Sequence, residues 1–121
     1  MPVRHVMVVD DSKTELLFLS ELLGKHGFTV STAQSAEEAL RRIDEARPDL
    51  ILMDVVMPGQ SGFQFTRALS RNERYAGIPI FLCTSKNQET DRVWGMRQGA
   101  KDYLTKPINA SELLNKINAL S

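Results

Sequence analysis

Cysteine is almost missing from this 121-residue chain: Cys83 stands alone. One thiol cannot close an internal disulfide or build a thiolate zinc site. Its place in the apolar run Ile80-Phe81-Leu82-Cys83 marks it as a small buried hydrophobe. Histidine is nearly as scarce. His5 precedes the first predicted strand and His26 closes the first predicted helix, neither in a ligand pattern with the other or with a carboxylate, so both are read as structural or surface residues. Excess charge is lacking too. Fifteen basic residues balance fifteen acidic ones, and this removes the usual reason to expect nucleic acid or an anionic membrane as partner. No apolar run approaches the length of a membrane span, and the N-terminus lacks a signal-type apolar region, so the expected location is cytoplasmic without membrane insertion. What remains suits one domain, residues 1–121, with a hydrophobic fraction of 42%, enough for a core without disulfides.

Short apolar runs alternate with helical patterns along the whole chain. Val6 to Val9 is the first predicted strand. Ser12 and Glu15 then have the spacing of a capping box, and Leu16, Leu19, Leu22 and Leu23 form a helical stripe that Gly27 ends. Phe28 to Ala33 is the second strand. A second box at Ser35 and Glu38 opens a helix with Ala36, Ala39, Leu40 and Ile43 inward, and Pro48 stops it. Leu50 to Met53 is the third strand. A Pro58-Gly59 turn follows, then a helix from about Gly62 with Phe63, Phe65 and Leu69 as contacts. Ile78 to Cys83 is the fourth strand, with Ser85 and Gln88 as the expected cap of helix four, Val93 and Met96 facing inward and Gly99 at its end. Asp102 to Thr105 is the fifth strand. Asn109 and Glu112 cap a last helix with Leu113, Leu114, Ile117 and Leu120 on its apolar face.

Crossovers of this length force parallel pairing with right-handed connections, and helices then cover both faces of the sheet. The expected class is α/β, a flavodoxin-like (βα)5 sandwich with strand order 2-1-3-4-5. A Rossmann arrangement wants a glycine-rich turn after strand one. The sequence there is Val9-Asp10-Asp11-Ser12-Lys13, with no glycine and two carboxylates that would repel a pyrophosphate.

In this order ligands bind where strand order reverses, between strands one and three. Asp10 and Asp11 end strand one and Asp54 ends strand three. Three converging carboxylates demand a counter-cation, and a hard oxygen-ligated ion, Mg²⁺, suits them. Thr84 adds a hydroxyl at the end of strand four and Lys106 a fixed charge beyond strand five. Taken singly each has an ordinary explanation: a cap, a turn former, a solvated lysine. Their coincidence at one sheet edge points to a phosphoryl group carried on an aspartate, with Asp54 the acceptor because it stands alone while Asp10 and Asp11 share the metal.

Val8-Val9-Asp10-Asp11-Ser12, Leu52-Met53-Asp54-Val55-Val56-Met57-Pro58-Gly59, Thr84-Ser85 and Lys106-Pro107 together resemble the response-regulator receiver domains of the CheY type, over essentially the whole chain. The resemblance implies that Asp11 and Asp54 bind Mg²⁺ with Asp10 assisting, that the Val56 backbone carbonyl is the third protein ligand, and that Thr84 and Lys106 are the site's hydroxyl and lysine. It further implies a cis Lys106-Pro107 peptide and a rotating aromatic at Tyr103. The runs Thr90 to Gly95, Arg97 to Ala100 and Asp102 to Pro107, with Gly62-Phe63-Gln64, resemble the stand-alone PilH-like regulators of type IV pilus and twitching motility. Val56 and Lys86, two beyond the acceptor and two beyond Thr84, occupy positions that vary in the family and flank the expected route of attacking water.

The partners so implied are a CheA-like histidine kinase or a histidine phosphotransfer domain upstream, and downstream a protein that reads the face of helix four, strand five and helix five, near Trp94. The chain is then a phosphoryl acceptor, with Mg²⁺-dependent self-phosphorylation and autodephosphorylation, and not an enzyme acting on a separate substrate. The alternatives are a receiver cut from a longer regulator, a phosphate sink of another chemosensory system, a Mg²⁺-dependent phosphatase, a receiver that signals without phosphorylation and an FMN binder. The short loops disfavour a phosphatase, the intact set of site residues disfavours an unphosphorylated scaffold, and the paired aspartates disfavour FMN.

Overall fold

The structure is a computed structural model and describes residues 2–120. Strands and helices alternate from β1 (His5–Val9) and α1 (Lys13–Lys25) through β2 (Thr29–Ala33), α2 (Ala36–Glu45), β3 (Leu50–Met53), α3 (Gly62–Arg71), β4 (Ile80–Thr84) and α4 (Glu89–Arg97) to β5 (Asp102–Thr105) and α5 (Ala110–Asn118). The strands pair in parallel in the order β2-β1-β3-β4-β5, the flavodoxin-like arrangement expected from the crossovers. β1 and β3 are consecutive in space, with β2 outside them, so strand order reverses there. None of the described helices is long and apolar enough to cross a membrane.

Period-two alternation divides the core between the two sides of the sheet. Val6, Val8, Leu50, Leu52, Phe81, Cys83 and Leu104 pack with Leu16, Leu19 and Leu23 of α1 and Leu113 and Ile117 of α5. Met7, Val9, Ile51, Met53, Ile80, Leu82 and Tyr103 pack on the other side, with Ala36, Ala39 and Ile43 of α2 and Phe65 and Leu69 of α3. Strands covered on both faces carry unbroken apolar runs, as β1 and β3 do. Gly27, Gly59 and Gly99 all have positive φ, at the helix ends and turn where the chain must reverse without a Cβ.

Several local expectations are corrected. His5 belongs to β1 rather than preceding it, β2 begins at Thr29 and β4 at Ile80. The Ser12 hydroxyl accepts from the Glu15 N–H, but the return bond of that box is absent, since the Ser12 N–H donates to Asp10 Oδ1 instead. Glu38 likewise caps the Gln34 N–H rather than that of Ser35. A closed box does form at Ser61 and Gln64, which the apolar pattern did not single out. Leu40 lies exposed.

Helix four departs most. It is capped from Gln88, whose N–H donates to Asp91, and not from Ser85. Residues after β4 are held out of the helix because the Lys86 N–H donates to Thr84 Oγ1 and the Lys86 carbonyl accepts from the Tyr103 hydroxyl. Val93 and Met96 do not face inward: they are 40% and 37% exposed, beside Trp94 at 50%. α4 meets the sheet through Gly95, where a Cβ would stand 2.8 Å from Leu82 and 3.2 Å from Phe63 and Tyr103.

Candidate phosphoryl-acceptor site

The carboxyl ends of the central strands bring the chemistry together. Asp10, Asp54 and Lys106 each sit one position past a strand and are pinned by their own backbone. The Asp10 N–H donates to Ala33 of β2, the Asp54 N–H to Val9 of β1, and the Lys106 N–H to Thr84 of β4. The ladder thus runs on just far enough to fix where the side chains start. Asp10, Asp11 and Asp54 each present an oxygen within 4.8 Å of the others. Asp10 and Asp54 are buried, at 3% and 8% exposure, while Asp11 faces solvent.

Lys106 is the counter-charge. Its ammonium donates to Asp10 Oδ2 at 2.7 Å and lies 3.7 Å from Asp54 Oδ1. Burial alone would lower its pKa. The hydrogen bond to Asp10 and the negative charges of Asp54, Asp10 and Glu15 outweigh burial and raise it, so the lysine stays charged. Asp54 is pushed above the usual carboxylate range by burial first and the Asp10 charge second, against the Lys106 charge, the Thr84 hydroxyl and the Val55 N–H. One ammonium does not neutralise three carboxylates. The set still favours a divalent cation, and all-oxygen donors with one face open to water suit Mg²⁺.

Thr84 is fully buried at the end of β4. Tyr103 lies on the α4 side of the sheet, its ring already inside and its hydroxyl donating to the Lys86 carbonyl at 2.8 Å. The Lys106-Pro107 peptide is cis. Trp94 is on α4 and half exposed. Val56 projects an exposed side chain from the loop after Asp54. Cys83 is buried, and burial lifts its thiol pKa far above the ordinary range, which leaves it inert. His5 bonds Ser31 and the Arg47 carbonyl, and His26 the Leu22 carbonyl, in structural roles.

Two residues have roles at the site that their sequence positions do not announce. Gly62 begins α3 where any Cβ would collide with the Asp54 carbonyl, so Asp54 and the helix start are packed backbone to backbone. A glycine directly after a Ser cap is the signal that marks it. Glu15 has the sequence position of half a capping box, yet its charge acts on Lys106.

Residues 6–118 match the response regulator receiver domain family. The chain belongs to that family. This receiver is 47% identical over 116 residues to Protein PilH of Pseudomonas aeruginosa, with 96% of each chain covered. It is 37% identical over 117 residues to the phosphate regulon transcriptional regulatory protein PhoB of Escherichia coli, where it spans about half of the longer protein, 51%. Among solved structures it superposes on the chemotaxis protein CheY4 of Vibrio cholerae with a TM-score of 0.90 at 33% identity, covering 98% of this chain and 99% of that one. It also superposes on the signal receiver domain of a histidine kinase from Syntrophus aciditrophicus, with a TM-score of 0.88 at 31% identity over 97% of this chain and 89% of that one. The receiver's acidic cluster is accordingly a phosphoryl-acceptor site of the kind that binds a divalent cation.

Proposed function

We propose that residues 1–121 act as one receiver domain that takes a phosphoryl group onto Asp54 from a phosphohistidine of a CheA-like kinase or a histidine phosphotransfer domain. The observation that carries this reading is the convergence of Asp10, Asp11 and Asp54 on one point, with Lys106 touching two of them. An Asp54 oxygen attacks phosphorus, the histidine nitrogen leaves with the bonding pair, and an acyl phosphate forms. Asp10, Asp11, Asp54 and the Val56 carbonyl would hold Mg²⁺, which when bound offsets charge on the phosphoryl oxygens. Lys106 places a second positive charge beside the same oxygens, and Thr84 supplies a hydroxyl.

Output then passes through the face of α4, β5 and α5. A partner that reads this face fits the exposed Val93, Trp94 and Met96, and the bonds of Thr84 and Tyr103 to the Lys86 segment support them as the link from the acceptor to it. Placement in type IV pilus and twitching-motility control, in the cytoplasm, draws support from the identity with PilH.

The test is mass spectrometry after incubation with a small-molecule phosphodonor such as acetyl phosphate and Mg²⁺. The wild-type chain is expected to gain one phosphoryl mass, and D54A to gain none. A wild-type yield from D54A, or from protein kept in EDTA, overturns the assignment.

A further inference from the structure

Glu15 holds the one buried side-chain oxygen without a hydrogen-bond partner among the described residues, Oε2. A stranded carboxylate oxygen is costly, so its cause matters. Glu15 is the third residue of α1, and its N–H already donates to the Ser12 hydroxyl at 3.3 Å. At this spacing the carboxylate ordinarily turns back to accept the cap residue's N–H. The same protein shows the finished arrangement in α3, where Ser61 N–H donates to Gln64 Oε1 at 3.0 Å and Gln64 N–H to Ser61 Oγ at 3.2 Å. In α1 the return donor is taken. Ser12 N–H donates to Asp10 Oδ1 at 2.9 Å, while Asp10 Oδ2 accepts from Lys106. Both oxygens of Asp10 are therefore committed to donors that a cation beside Asp11 and Asp54 must compete with.

From this geometry we infer that Glu15 is a positioning residue for cation binding: when Asp10 turns to the metal, Glu15 takes over the Ser12 N–H and closes the capping box of α1. The inference rests on the acceptor-site reading above. It gives the stranded oxygen a partner in the loaded state and keeps the first turn of α1 capped while Asp10 moves. It also gives the two states opposite preferences at one residue. The metal-free chain leaves Glu15 Oε2 without a partner, and the metal-bound chain uses it. The charge of Glu15 reaches Lys106 and Cys83, at the carboxyl ends of β5 and β4, as expected of a side chain on the sheet face that α1 covers.

The experiment compares wild type, E15A and E15Q by Mg²⁺ calorimetry, by thermal melting without metal and by amide exchange at Ser12. E15Q keeps an acceptor oxygen without the charge, so it separates capping from simple attraction of the cation. E15A is expected to bind Mg²⁺ about three- to ten-fold more weakly, as the loss of one hydrogen bond implies, yet to melt no lower than wild type without metal. E15Q is expected to bind Mg²⁺ within about two-fold of wild type, since its amide oxygen remains an acceptor for the Ser12 N–H. The Ser12 amide is expected to stay protected on Mg²⁺ addition in wild type and E15Q and to lose protection in E15A. Equal Mg²⁺ affinity in all three chains, or an E15Q as weak as E15A, overturns the proposal. So does a Ser12 amide whose protection ignores Glu15. A wild-type chain that binds no Mg²⁺ at all overturns the acceptor-site reading and this inference with it.

Discussion

The two aspartates that flank β3 are driven in opposite directions by their surroundings. Asp49, just before the strand, accepts from the His5 and Arg4 backbone N–H groups at 2.9 Å each, and those bonds, His5 first, hold its pKa below 3.8. Asp54, just after the strand, is raised above 3.8, chiefly by burial. The consequences for stability have opposite sign. Ionised Asp54 is disfavoured by the fold, because burial strips water from its carboxylate. Asp49 ties the start of β1 to β3, and its ionised form is favoured by the fold. Its contribution is complete above its unfolded pKa and disappears as pH falls through its lower folded pKa. D49N keeps an acceptor oxygen but no charge. It is therefore expected to be less stable than wild type at pH 6, with the difference shrinking steadily below pH 4. Urea denaturation at several pH values measures this, and a difference that stays constant down to pH 2.5 removes the role assigned to Asp49. Nothing in the sequence marked Asp49, because its partners are backbone groups of residues far away in the chain.

At the scale of elements, the strands were legible and the helix ends less so. Val6 to Val9 and Leu50 to Met53 are unbroken apolar runs, and burial on both faces is what such runs mean. The boxes at Ser12 and Ser35 misled because several N–H groups compete for each carboxylate, and spacing alone does not choose among them. α4 departs from its apolar spacing for another reason. Apolar spacing points to Val93 and Met96 as the inward residues, whereas the helix packs through a glycine, a contact with no hydrophobic signature. That contact predicts the behaviour of G95A. Alanine favours the helix by about 1 kcal/mol. Its methyl group would stand 2.8 Å from Leu82 Cδ1 and 3.2 Å from the rings of Phe63 and Tyr103, and overpacking of this kind costs about 1–3 kcal/mol. The net expectation is a loss of about 1 kcal/mol with altered Tyr103 ring shifts by NMR. A G95A chain more stable than wild type, with Tyr103 unmoved, shows that α4 does not press on the ring. Tyr103 is the residue through which α4 and the Lys86 segment meet, so the same variant reports on how tightly that link is set.

Across the whole molecule, the site is a property of topology. Asp10, Asp54 and Lys106 are separated by 44 and 52 residues in the chain, and they meet because β1, β3, β4 and β5 lie side by side and end at one edge. That meeting was readable in advance from strand order alone, without any local motif linking the lysine to the carboxylates. The pairing of Lys106 with Asp10 rather than chiefly with Asp54 was not readable, since it depends on a difference of 1.0 Å between contacts of 2.7 and 3.7 Å. This pairing makes Lys106 both a strut and a competitor. As a strut it joins β5 to β1 by compensating a carboxylate that is almost wholly buried. Removing one member of a buried ion pair strands the other, at a cost of about 3–5 kcal/mol. As a competitor it occupies an oxygen that a cation at the site would use. K106A is therefore expected to unfold in metal-free buffer about 3 kcal/mol more easily than wild type and to bind Mg²⁺ more tightly. A ligand bound by the native state alone stabilises it in proportion to the logarithm of its concentration over its dissociation constant. The same Mg²⁺ concentration should then raise the melting temperature of K106A further than that of wild type and close much of the gap between them. Thermal melts across a Mg²⁺ series decide the matter. Parallel shifts in the two chains would show that the lysine and the cation do not contend for the same carboxylates.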